Sequence, residues 1–170
     1  NYDKAYEEFE KAVARVNDAF GSDPQSESSR RTMRRKGEYV PTGLEAGYYM
    51  LQIDFMRGEY EKVVSNGRSL LMKQPVKELI PETRRVIGES YFKLGMYDDA
   101  LSYLEEYVAD PDVTPAPSAI YALGVIEYDD GDYKKAAERF SAIDGLNNDL
   151  AQSAALYLGQ CAIHEGEADL

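Results

Sequence analysis

Tryptophan is missing from this chain of 170 residues, and cysteine and histidine occur once each, as Cys161 and His164. A single cysteine closes no internal disulfide and leaves the redox compartment open. One histidine without a second removes most general-base schemes. Cys161 and His164 stand three apart and offer two ligands where a tetrahedral zinc site takes three or four. No apolar run approaches the roughly 18 residues that cross a bilayer. Basic residues are in deficit, 19 against 31 acidic, for a net charge of −12. That balance argues against a nucleic-acid backbone as the main ligand, since phosphates are bound by neutralising them. The glycines are scattered and form no phosphate-binding loop. The opening residues, NYDKAYEEFEKA, have no initiator Met, basic start or apolar core, so no targeting peptide is read there. Neither catalytic residues nor a cofactor or metal site is expected.

A recurring block is present instead. A helical segment closes on a turn glycine at Gly58, Gly95, Gly131 and Gly166, at spacings of 37, 36 and 35 residues. A tyrosine follows two residues after the first three (Tyr60, Tyr97, Tyr133), then Val63, Ala100 or Ala136 three further on. Another glycine precedes the last three by seven: Gly88, Gly124 and Gly159. Self-similarity at a period of 20 to 50 residues marks a solenoid, whose units bury their apolar faces by stacking. Apolar spacing and prolines at the joins predict helices over 2–20, 43–57, 59–73, 82–94, 96–109, 117–130, 132–143 and 149–165. The expected organisation is a lone second helix at 1–20, an insertion at 21–42, repeats at 43–80, 81–116 and 117–148, and a partial repeat at 149–170. Both ends read as cuts through a longer solenoid.

The insertion concentrates Arg30, Arg31, Arg34, Arg35 and Lys36 on an acidic chain. Two readings stand: a solvated loop or short docked helix, and a basic contact for an acidic partner or lipid head groups.

These residues resemble the tetratricopeptide repeat family from Leu44 onward, with half a repeat before it. Ile87 with Gly88, Leu123 with Gly124 and Leu158 with Gly159 match the large-then-small pair of the first helix. Tyr91 matches the aromatic four before the turn glycine, Ala100 and Ala136 the alanine five after it, and Pro75 and Pro111 the closing proline. Departures are Leu51 for the small residue, Val63 for the alanine, Gly67 where an apolar side chain is expected, and Glu127 and Ala162 at the aromatic position. The resemblance implies an all-α, right-handed superhelix of antiparallel helix pairs. A narrower resemblance, to long envelope proteins of Gram-negative bacteria, favours the cell envelope or periplasm over the cytoplasm.

In that family the first helices line a concave groove that takes peptides or helices. Counting back ten, six and three residues from each turn glycine gives the expected floor: Tyr48, Gln52 and Phe55; Arg85, Glu89 and Phe92; Tyr121, Val125 and Tyr128; Leu156, Gln160 and Ile163. The family's cationic clamp for acidic C-termini is absent, since Arg85 is the only cation of the set and Glu89 can pair with it. The expected role is a non-catalytic protein-interaction module that holds an apolar or aromatic peptide, or a helix. The alternative is an assembly scaffold that self-associates or packs within a longer chain.

Overall fold

The computed structural model describes residues 2–20, 39–73, 77–145 and 149–168. All regular structure among them is helical: α1 (Tyr2–Phe20), α2 (Tyr39–Met56), α3 (Tyr60–Met72), α4 (Leu79–Lys93), α5 (Tyr97–Val108), α6 (Pro117–Asp129), α7 (Tyr133–Ser141) and α8 (Asp149–Ala168). Consecutive helices pack on one another, and each first helix also packs on the next first helix: α2 on α4, α4 on α6, α6 on α8. The result is an all-α helical repeat solenoid.

The turn glycines show why the pairs form. Gly58, Gly95 and Gly131 adopt φ of 77°, 73° and 83°, a left-handed conformation that costs a glycine little. Each is followed by an N–H that reaches back to the carbonyl four residues before the glycine: Glu59 to Asp54, Met96 to Tyr91 and Asp132 to Glu127, at 3.0, 3.0 and 2.9 Å. This backward bond satisfies a carbonyl that the helix end would otherwise leave open. The tyrosine two residues on then meets the aromatic three before the glycine: Phe55–Tyr60, Phe92–Tyr97 and Tyr128–Tyr133 rings lie 5.5, 5.7 and 5.2 Å apart.

The expected turn at Gly166 is not there. Helix α8 runs through it to Ala168, and among the described residues the fourth left-handed glycine is Gly145, at φ 82°. Glycine permits the turn without imposing it. No tyrosine stands two residues after Gly166 to fold back on α8, where Ala168 follows instead. Two helices also start earlier than expected, at Tyr39 and Leu79. Pro41 and Pro81 thus fall in first turns, where a missing N–H leaves no intrahelical bond unmade. Of the expected insertion, 39–42 is the opening of α2, while Arg30, Arg31, Arg34, Arg35 and Lys36 lie outside the described residues.

Large and small residues interlock the two helices of each pair. A Cβ on Gly88 of α4 would lie 2.7 Å from Leu104 of α5, and one on Gly124 of α6 2.8 Å from Phe140 of α7. In the α2–α3 pair the sizes are exchanged. Leu51 takes the position of Gly88, and Gly67 takes that of Leu104; a Cβ on Gly67 would come within 3.5 Å of Leu51 and 2.6 Å of Ile87. The two departures read from the sequence are therefore one compensated exchange.

Candidate functional site

The first helices touch one another in series, whereas second helices contact first helices. The outer layer is correspondingly open, with clefts of about 450 Å³ between α1 and α3 over Gly43 and Gly47, and about 440 Å³ between α5 and α7 over Ile120. The tighter layer, formed by α2, α4, α6 and α8, is the inner face.

The expected floor of that face is largely a seam between repeats. Tyr48, Glu89 and Val125 are buried, at 7, 6 and 7% exposure, which corrects the expectation that they line an open groove. Tyr48 Oη accepts a hydrogen bond from Gln52 Nε2 at 2.7 Å. Tyr121 meets Phe140 and Tyr157 edge-on, and Tyr128 meets Tyr157 of α8 at 5.1 Å. The physical reason is the close approach of consecutive first helices: a residue aimed toward the groove in an isolated pair reaches the next repeat instead. Phe55, Phe92 and Tyr128 are half-buried as the aromatic partners at the turns, while Gln52, Arg85, Tyr121 and Gln160 are also half-buried. Leu156 and Ile163 are exposed, at 66 and 61%.

Arg85 is committed as the sequence suggests, and further. Its Nη1 donates to Glu89 Oε2 at 2.9 Å and its Nε to Glu82 Oε2 at 2.8 Å. Ser118 Oγ of α6 donates to Glu89 Oε1 at 2.6 Å, and Tyr107 of α5 donates to Glu82 while accepting from the Ala116 N–H. This network joins three helices and leaves the cation little capacity for an acidic ligand. A basic clamp is not assembled here.

Two further acids are buried four residues before a turn glycine, Asp54 and Glu127, at 0 and 6% exposure. Asp54 accepts from Tyr6 Oη of α1 at 3.1 Å and from Lys62 Nζ of α3 at 2.9 Å. Burial opposes the charge of Lys62, but the Tyr6 side chain beside its ammonium and hydrogen bonds to Asp54 and Glu59 hold the group above its ordinary range. Glu127 accepts from Arg139 Nε and Nη2 at 3.2 and 3.1 Å. In the intervening repeat the same position is Tyr91, whose ring packs on Tyr103 at 5.7 Å.

Cys161 and His164 do not act as a ligand pair. Cys161 is fully buried, in the cluster around Phe140 and Ala154, while the His164 ring stacks on Tyr133 at 4.3 Å with its Nε2 3.2 Å from Tyr128 Oη. Among the described residues no three His, Cys, Asp or Glu side chains gather as a metal site requires, and no helix is long and apolar enough to cross a membrane. Burial pushes the Cys161 thiol above its usual pKa, with Glu165 adding to the rise. Reaction with an aromatic disulfide at pH 8 is accordingly expected only after denaturation, because the thiolate is the nucleophile; prompt reaction of the native chain would contradict the burial.

What the sequence reading missed on α2 is the exposure of Tyr49 and Met56, at 49 and 61%, the former with its ring stacked on Phe9 of α1. They sit nine and two residues before Gly58, one position C-terminal to the expected stripe.

Residues 85–149 match the model of the tetratricopeptide repeat family. The matched stretch runs from α4 to the start of α8 and is similar to that family. Repeats of this kind generally mediate protein–protein interaction and are typically non-catalytic. No curated protein matches the chain.

Proposed function

We propose that this chain is a non-catalytic protein-interaction module that holds a peptide or helix of a partner along the inner face of α2, α4 and α6. The observation that carries the reading is the distribution of accessible apolar surface on that layer. On α2 Met56 is exposed and Tyr49, stacked on Phe9 of α1, is half-exposed, while Phe55 of α2, Phe92 of α4 and Tyr121 and Tyr128 of α6 are half-buried. Aromatic and Met side chains are enriched at protein interfaces, and an apolar stripe on a helical scaffold suits an amphipathic helix laid in a groove. Because Arg85 is already paired to Glu82 and Glu89, the partner contributes apolar anchors rather than a terminal carboxylate.

Selection from a displayed library of random peptides tests this. The recovered peptides are expected to be apolar or aromatic, and to lose at least about tenfold in affinity with the double variant Gln52→Arg, Met56→Asp. Met72→Asp, on the exposed outer side of α3, is expected to leave affinity unchanged. Equal losses for both, or no peptide recovered, would contradict the reading.

A further inference from the structure

The inner helices α2, α4 and α6 differ in chemistry between their two ends. Toward the turns stand Phe55, Phe92 and Tyr128, half-buried, and the exposed Met56. Toward the other ends stand acids. Glu82 and Glu89 flank Arg85 at 2.8 and 2.9 Å, and the exposed Glu45 lies three residues before Tyr48, on the same side of α2. Glu45, Glu82 and Ser118 each stand 13 residues before a turn glycine. That position faces the seam between inner helices: Ser118 Oγ reaches Glu89 of α4, and burial together with the Glu82 charge pushes the Tyr48 hydroxyl of α2 above its usual pKa. Helices α2 and α6 contain no Lys or Arg. On α4, Arg84 pairs with Glu106 of α5 and Lys93 sits at the turn end, so Arg85 alone opposes the three carboxylates of this edge.

The side-chain donors beside these acids are committed within the layer, Gln52 to Tyr48, Arg85 to Glu82 and Glu89, and Ser118 to Glu89. An extended segment laid there would bring backbone groups that those donors do not meet, whereas a helix satisfies its own. Spacing favours a helix as well. Packed helices lie about 8–10 Å apart, a distance a ligand helix climbs in about six or seven residues, and residues seven apart share one face. A strand covers it in about three residues, which point to opposite faces.

We propose that the partner segment is a cationic amphipathic helix lying across α2, α4 and α6, with apolar side chains about seven residues apart on Phe55, Phe92 and Tyr128 and Lys or Arg along its other edge, beside Glu45, Glu82 and Glu89. This occupant presupposes the inner face as the binding surface and adds to that reading the sign, edge and spacing of the ligand. Charge complementarity selects it. The chain carries −12, and an acidic helix in the same place would set like charges against each other where Glu89 is already buried.

Synthetic helical peptides of about 20 residues test this, each with leucines seven apart and with Lys, Gln or Glu along one flank, their affinities for the chain read by fluorescence anisotropy. The Lys peptide is expected to bind at least about tenfold more tightly than the Glu peptide, by a margin that shrinks as salt is raised. Glu45→Lys, at an exposed position, is expected to narrow that margin by about threefold or more. A proline in the middle of the Lys peptide is expected to weaken it by at least about tenfold. The double variant Gln52→Arg, Met56→Asp is expected to weaken the Lys and Gln peptides alike. A Lys peptide that binds no better than the Glu peptide, or that tolerates the proline, would overturn the proposal; a Gln peptide that meanwhile binds and loses affinity in the double variant would leave the inner face standing as the binding surface. Affinities that follow charge but ignore the double variant would overturn both.

Discussion

Leu104→Gly is expected to cost about 4–5 kcal/mol, and adding Gly88→Leu is expected to return a large part of that loss. The single change removes a side chain that is fully buried. It combines the cavity cost of a large-to-small replacement, about 2–5 kcal/mol, with about 1 kcal/mol for glycine in a helix interior. Gly88→Leu alone places a Cβ 2.7 Å from Leu104, and overpacking of this kind costs about 1–3 kcal/mol. Together the two substitutions recreate in α4–α5 the arrangement of Leu51 and Gly67 in α2–α3. Chemical denaturation of the four members of this double-mutant cycle should show coupling of about 2 kcal/mol or more. Strict additivity would show that the two positions do not interlock.

Arg139→Leu is expected to destabilise the chain by about 3–5 kcal/mol, because it leaves the buried Glu127 carboxylate without its cation. At about 2–4 °C per kcal/mol for a chain of this size, the melting temperature should fall by roughly 10 °C. Replacing both partners is expected to behave otherwise. Glu127→Tyr with Arg139→Tyr reproduces the Tyr91–Tyr103 pair of the preceding repeat, and apolar replacement of a buried ion pair is often neutral or stabilising. Thermal melts of the single and double variants decide between these outcomes. A double variant as unstable as the single one would mean that Glu105, the second carboxylate on Arg139, and not Glu127 dominates that site.

The helices and three of the four turns were legible because they rest on local chemistry: apolar spacing, a glycine able to go left-handed, and a tyrosine two residues later. Gly166 was misread because the glycine was weighed without the tyrosine that completes the turn. The compensated pair Leu51–Gly67 was visible only as two separate irregularities, since positions 16 residues apart in sequence become partners only when α3 folds back on α2. Tyr48, Glu89 and Val125, expected in an open groove, are buried for a similar reason. Each first helix meets its own second helix and the next first helix, and periodicity along one strand of sequence does not say which face meets which. The buried acids Asp54 and Glu127 stand at a position where an aromatic packs in the neighbouring repeat. Their partners Lys62 and Arg139 lie 8 and 12 residues further on, across the turn from them.

The most direct test of the account is amide hydrogen exchange of the chain with and without a peptide recovered by selection. The account predicts added protection in the exposed turns of α2, α4 and α6, with α3, α5 and α7 unchanged. Protection confined to the second helices would contradict the assignment of the inner face as the working surface of this repeat protein.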